Sequence, residues 1–307
     1  MSTATDLVSP KQVARAIGVS ESSLKRWCDQ KLIKMIRTAG GHRKMSIAEV
    51  IRFAQKNDYP IVEPELLGLP PVSRHAELGL TRAVDLLAQA LLTGDELLVR
   101  QIVFDLVQAG HSINRIADRV LAPAFQTIGE RWACHEVDVY QERRGCEMML
   151  RLLFELRRIL PPPATEWRAI GGTIAGDQYE LPATTAELVL REAGFQATSL
   201  GCSLPWPSLV KAARDLQPKL FWLSISHIAP EMNFVTEFAN LSQACTEIGT
   251  ALVVGGRALT PELRQQMSYS AYCDTMQHLA TFAETLLRSM QKREKPQQKT
   301  RKSSTKG

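Results

Sequence analysis

The sequence predicts a multidomain α and α/β chain: a winged helix-turn-helix, a four-helix bundle, then a five-stranded parallel sheet with flanking helices. Three observations carry this. Residues 1–58 compress two capped amphipathic segments and a glycine-tipped basic hairpin into one block. Residues 76–160 repeat apolar positions at three- and four-residue spacing, as in AVDLLAQALL, LVRQIVFDLV and GCEMMLRLLFELRRIL. Beyond residue 165, short β-branched runs (RAIGGTIAG, FQATSLG, KLFWLSIS, TALVVGG, SAYCDT) alternate with helical stretches, the pattern of a parallel sheet covered on both faces.

A chain of 307 residues with 45% hydrophobic content has room for two or three cores. No run approaches the ~18–20 apolar residues of a membrane span. The start, MSTATDLVSPKQ, lacks a basic region followed by an apolar stretch, so a cytoplasmic, membrane-free location is expected. Six cysteines without a CxxC pair argue against a disulfide framework or structural zinc and fit a reducing compartment. The net charge of +5 hides an asymmetry: residues 1–60 hold eleven Lys/Arg against five Asp/Glu, and residues 292–307 hold seven against one. Two basic ends around an acidic middle direct the ends toward a polyanion.

In the first block, VSPKQVARAIGVSESSLKRWCDQKLI has the spacing of a helix-turn-helix. Pro10 suits a first helical turn, Val13, Ala14 and Ile17 line the inner face, Gly18 permits the turn, and Ser20 can cap the second helix. Leu24 and Trp27 then point to the core, Trp27 as packing rather than a stacking platform. Ser22, Ser23, Lys25 and Arg26 face outward, where a rigid helix reaches base edges. Arg37, His42, Arg43 and Lys44 lie on the hairpin, suited to phosphate contact. Turn, wing and charge together resemble the MerR family and its excisionase-like relatives, which implies a double-stranded DNA operator as partner.

Residues 59–75, with four prolines, read as an extended spacer after the 1–58 DNA-binding domain. The 76–160 bundle follows. Its segment LAPAFQTIGERWACHEVDVYQE resembles the helical cap that precedes cobalamin-binding domains. Light-responsive MerR-like regulators carry a W-x9-E-H pattern there; Trp132 and Glu142 match, and Arg143 stands where the family has histidine. The sheet domain, 166–291, resembles the cobalamin fold with signature D-x-H-x-x-G, S-x-L and G-G. Asp177 keeps the first position, Tyr179 replaces the histidine and Pro182 replaces the glycine. Ser224-Ile225-Ser226 stands for S-x-L, and Gly255-Gly256 ends the motif. In the family the histidine binds cobalt and the aspartate orients it. A tyrosine phenol, with an ordinary pKa near ~10, is a poor cobalt ligand at neutral pH. Cys202, His227 and His135 are alternative ligands by position, a plain loop role suits each of them better, and the sequence assigns no metal set. Residues 292–307 lack apolar side chains and read as a disordered basic tail.

These features imply a DNA-binding transcriptional regulator, a repressor by resemblance, and not an enzyme. Its cobalamin-type sensor would take cobalamin without the axial histidine, or another tetrapyrrole such as haem or a bilin. Ligand would then shift assembly as a dimer or tetramer. The alternative is a ligand-independent regulator that keeps the sensor fold as an oligomerisation scaffold. A corrinoid carrier or enzyme subunit ranks third, since no barrel or catalytic set accompanies it.

Overall fold

The computed structural model describes residues 7–38, 41–70, 79–230 and 233–303. They form two compact units, divided between Pro162 and Pro163. No helix among the described residues is long and apolar enough to cross a membrane.

The first unit opens with β1 (Leu7–Val8), α1 (Pro10–Ala16), α2 (Glu21–Asp29), β2 (Ile36–Arg37), β3 (Arg43–Ser46) and α3 (Ile47–Lys56). Local chemistry sets each boundary. Ser9 and Gln12 close a capping box ahead of Pro10, and the Ser20 hydroxyl accepts from the Ser23 amide to start α2. Between them Gly18 takes φ +66°, a left-handed turn that a side chain would strain. The three strands form an antiparallel sheet in the order β1-β3-β2, with Ile36 opposite Lys44 and Arg37 opposite Arg43. Leu24 is fully buried. Trp27 packs 5.1 Å from both Phe53 and Tyr59, an aromatic cluster in the core. The tip residues Ala39 and Gly40 of the expected wing lie outside the described residues.

The proline-rich stretch corrects one expectation. Residues 59–70 are not a free spacer but fold back on the helix-turn-helix. Val62 N donates to Ala16 O at 2.7 Å, Glu63 pairs with Arg15 at 2.7 Å, and a 3-10 turn, Pro64–Leu67, buries Leu67. The prolines exclude a helix, but the apolar residues between them still seek burial. Residues 71–75 of that expected spacer lie outside the described residues.

The bundle comprises α4 (Leu80–Thr93), α5 (Glu96–Gln108), α6 (Ile113–Ile116), α7 (Ala122–Ala133) and α8 (Val139–Ile159). A π turn, Ala117–Leu121, joins α6 and α7 into one continuous rod, so four long rods pack together. Pro123 explains the turn: it lacks an N–H and its ring would crowd the preceding carbonyls, and a wider turn relieves both. Asp95 caps α5 and Asp138 caps α8. Arg144 on α8 donates to Leu92 O at 2.5 Å, placing a cation at the C-terminal end of α4. The Gln55 side chain on α3 donates to Val107 O at 3.0 Å, docking the N-terminal block on α5.

The second unit contains β4 (Arg168–Thr173), α9 (Glu180–Ala193), β5 (Gln196–Ser199), α10 (Trp206–Leu216), β6 (Leu220–Ser224), α11 (Phe234–Glu247), β7 (Ala251–Gly255), α12 (Pro261–Arg264), β8 (Ala271–Tyr272) and α13 (Met276–Ser303). The sheet is wholly parallel with order β5-β4-β6-β7-β8. Strand order therefore reverses between β4 and β6, and their C-terminal ends flank the switch point. Ile170, Phe221, Leu223, Ile225 and Val254 pack against Trp206, Leu209, Phe234 and Phe238 on one face. Helix α9 covers the other face and packs against α13. A second expectation changes here: α13 runs through Ser303, where a disordered tail from residue 292 was expected. Lys, Arg, Gln and Glu are good helix formers, so a run without apolar residues can still continue a helix. Residues 304–307 lie outside the described residues.

Candidate DNA interface and sheet-end site

The residues read as DNA contacts fall on two elements of the first unit. Lys25 and Arg26 are exposed along α2, with Ser22 exposed and Ser23 half-buried at its start. The hydroxyls of Ser22 and Ser23 lie 2.8 and 2.9 Å from Ser20 Oγ, so both belong to the N-terminal cap cluster. The basic pair is thus the part of α2 best placed to reach out. On the wing, Arg37 and His42 are exposed and Arg43 and Lys44 half-buried; Thr38 N donates to His42 O at 2.9 Å to close the turn.

Sequence reasoning missed Glu49. Its buried carboxylate accepts from Lys34 N at 3.0 Å and from Arg52 through Nη2 at 2.7 Å and Nε at 3.1 Å. This ties the root of the wing to α3. As an acidic residue in a first helical turn it looks ordinary in sequence, and nothing marks it as buried.

In the bundle, Trp132 on α7 is 51% exposed, and Val139 and Tyr140 at the start of α8 are exposed as well. Glu142 is half-buried on α8 and accepts from Cys146 Sγ at 3.5 Å. Burial, and next the Glu142 charge, push the Cys146 thiol up to about 12, so it stays a protonated donor. His135 sits in the loop after α7 with φ +59°.

The sheet end of the second unit is closed by its own bonds. Asp177 is fully buried after β4. Its Oδ1 accepts from Tyr179 N at 3.0 Å, and its Oδ2 accepts from Ser226 N at 2.6 Å and His227 N at 3.2 Å. One carboxylate therefore ties the loop after β4 to the loop after β6, across the switch point. Ser203, after β5, joins through its amide to Thr173 Oγ1 at 2.8 Å and through its hydroxyl, which accepts from Gly176 N at 3.0 Å. Ser224 is buried within β6, opposite Gly255 and Thr173. Arg257, after β7, sets its guanidinium 4.6 Å from the centre of the Tyr179 ring and directs Nε at Ser226 O, 3.4 Å away. Sequence reasoning did not single out Arg257 or Thr173.

The two glycines of the G-G pair are filled by the chain itself. A Cβ on Gly255 would lie 2.4 Å from Cys273 O, and one on Gly256 2.2 Å from Ile225 O. Cys202 Sγ lies 3.8 Å from Gln178 Oε1, and burial followed by Glu180 raises its thiol pKa, which disfavours the thiolate a metal would need. The His227 side chain is exposed. Among the described residues no group of three or more His, Cys, Asp or Glu converges as a metal site.

The helix-turn-helix domain family matches residues 7–58, and the B12 binding domain family matches residues 83–157. The chain joins a helix-turn-helix domain to a B12 binding domain. The HTH-type transcriptional repressor CarH of Myxococcus xanthus is 28% identical over 174 residues, 57% of this chain. The chain spans about half of that relative's length, 55%. Trimethylamine corrinoid protein 1 of Methanosarcina acetivorans is 20% identical over 187 residues, covering 60% of this chain and 87% of that one. Among solved structures, the monomethylamine corrinoid protein of Methanosarcina barkeri aligns with TM-score 0.56 at 17% identity, over 68% of this chain and all of that one. The last likeness establishes a shared fold.

A corrin held by a loop imidazole does not fit the sheet end of this B12-type chain. Tyr179 offers no imidazole and carries a guanidinium over its ring. The Asp177 carboxylate that would orient an imidazole is already occupied by three backbone amides.

Proposed function

We propose that this chain is a DNA-binding transcriptional repressor. One observation carries the reading: a basic helix-turn-helix with its wing and a B12 binding domain match lie in one chain, and a Myxococcus relative similar over 57% of this chain is a repressor by name. Lys25 and Arg26 read base edges from α2, while Arg37, His42, Arg43 and Lys44 grip phosphates from the wing. The partner is a double-stranded operator bound by an oligomer, and the protein is a regulator rather than an enzyme.

For the middle and C-terminal blocks, the B12 binding domain match over residues 83–157 supports a tetrapyrrole sensor without a histidine metal ligand, with haem or a bilin favoured over a corrin. Trp132 and Glu142 would face the ligand, which shifts operator occupancy by its differential affinity for two assembly states. The occupied Asp177 carboxylate favours a second reading, in which the corrinoid fold persists as a ligand-independent scaffold.

Two measurements test these readings. Arg26→Ala should weaken operator binding and relax base preference, by about 1–3 kcal/mol at the position read. Arg43→Ala should weaken binding to every sequence and lower the salt slope by about one counterion; an unchanged slope in fluorescence anisotropy removes Arg43 from the wing contact. Absorption spectra of the full chain after incubation with cobalamins, haem or biliverdin, in dark and light, separate sensor from scaffold. A protein-bound chromophore spectrum supports the sensor, and its absence under every condition leaves the scaffold.

A further inference from the structure

We propose that Tyr179 and Arg257 form a clasp that bars a corrin from the sheet end, and that this pair rather than the missing histidine alone sets ligand specificity there. The inference rests on reading the C-terminal half as a corrinoid-type module; it is independent of the DNA-binding assignment.

Replacing a metal-binding histidine by tyrosine would by itself leave an aromatic ring at the mouth of the switch point. The structure shows more than that. Arg257 comes from the loop after β7, two strands away from β4, and reaches across the end of β6 to cover the Tyr179 ring at 4.6 Å. On the way its Nε approaches Ser226 O at 3.4 Å. Ser226 N is in turn a donor to Asp177 Oδ2. Arg257 and Asp177 thus hold the same residue of the β6 loop, one through its carbonyl and the other through its amide.

The main chain is fitted to this path. Gly256, immediately before Arg257, has φ +120° and lies so close to Ile225 that a Cβ would fall 2.2 Å from its carbonyl oxygen. Ala258 N donates to Ile225 O at 3.1 Å, so the β7 loop is pinned on both sides of Arg257. From that fixed main chain the guanidinium reaches the tyrosine face, which attracts cations through its quadrupole. Tyr179 remains 38% exposed, so the stack lies at the surface of the crevice and closes its mouth rather than filling its core.

The two parts of the closure differ in permanence. Asp177 is buried and holds backbone amides, whereas Arg257 is exposed and holds a ring face. Removing Arg257 therefore opens the mouth while leaving the Asp177 tie in place, which makes the clasp testable without unfolding the domain.

The experiment uses the full chain with hydroxocobalamin, read by absorption and by calorimetry. Wild type should bind no corrin. Tyr179→His alone should gain weak binding, and Tyr179→His with Arg257→Ala should bind about tenfold more tightly, with the spectrum of an imidazole-ligated corrin. Tyr179→His with Arg257→Lys, which keeps a cation at the mouth, should bind no better than Tyr179→His alone. Circular dichroism checks that each variant folds. A ligand-free check is a thermal double-mutant cycle of Tyr179→Ala and Arg257→Ala, whose effects should be non-additive. The proposal is overturned if wild type binds as tightly as the double variant, if Arg257→Ala changes nothing in the Tyr179→His background, or if no variant binds. Operator binding, measured separately, scores the repressor reading on its own.

Discussion

Asp177→Ala should cost the second unit about 3 kcal/mol or more and release the loop after β6. The carboxylate accepts from three backbone amides, Tyr179 N, Ser226 N and His227 N, in a place closed to water. Each buried amide left without an acceptor costs about 1–3 kcal/mol. Alanine has no atom to replace either oxygen, and the cavity it leaves is polar and small. Asp177→Asn should be intermediate. Its single carbonyl oxygen can serve one side of the tie, and its NH2 then confronts a donor on the other. Urea unfolding, with hydrogen exchange at Ser226 and His227, measures both variants. A loss below about 1 kcal/mol for alanine would show that the loops hold without the carboxylate.

Gly256→Ala should be at least as damaging, by a different route. Its φ of +120° lies where L side chains are strained, and the new Cβ would meet Ile225 O at 2.2 Å, its C at 2.5 Å and its N at 2.7 Å. Every one of these is main chain of the neighbouring loop, so no side chain can rotate away. Accommodation requires β6 and β7 to part, at a cost above about 3 kcal/mol once strain and overpacking combine. Gly110→Ala is the matched control: it too has positive φ, +83°, but nothing lies within 4 Å of its Cβ position. It should lose about 1 kcal/mol, from backbone conformation alone. Equal losses in thermal melts would mean that the contact with Ile225 adds nothing.

Much of the fold was legible because local signals and burial agree. Pro10, Gly18 and Ser20 read as a first helical turn, a tight turn and a cap, and the structure uses each in that role. The five strands of the sheet follow the β-branched runs in the same order. The sequence reading fails where tertiary burial acts on short signals. Leu67 and Leu69 are buried leucines among prolines, with no helical or strand period around them, yet their segment docks on α1. The run RIADRVLAPAFQTIGERW is helical as expected, but the π turn ahead of Pro123 leaves no mark in its apolar period.

At the site, the difference is between donor types. A motif of side chains can be read from letters, so Asp177, Tyr179 and Gly255-Gly256 were visible. The partners of Asp177 are backbone amides, which every residue but proline carries and no sequence pattern marks. Arg257 is likewise hidden, because a lone arginine after two glycines looks like a solvated loop charge. Its meaning comes from Tyr179, 78 positions earlier in the chain and 4.6 Å away from ring centre to guanidinium.

Gln55 gives the first unit a property of its own. Its amide seats the end of α3 on the carbonyl of Val107, while Gln108 reaches back to Pro70 O at 3.4 Å. These two bonds tie the helix-turn-helix block to α5. Were copies to associate through their bundles, the distance between two α2 helices would become a dimension of the assembly, like the gap between the jaws of a caliper. Operator half-sites would then be chosen by spacing as much as by sequence, and a regulatory signal need only change how bundles meet in order to change which DNA is measured.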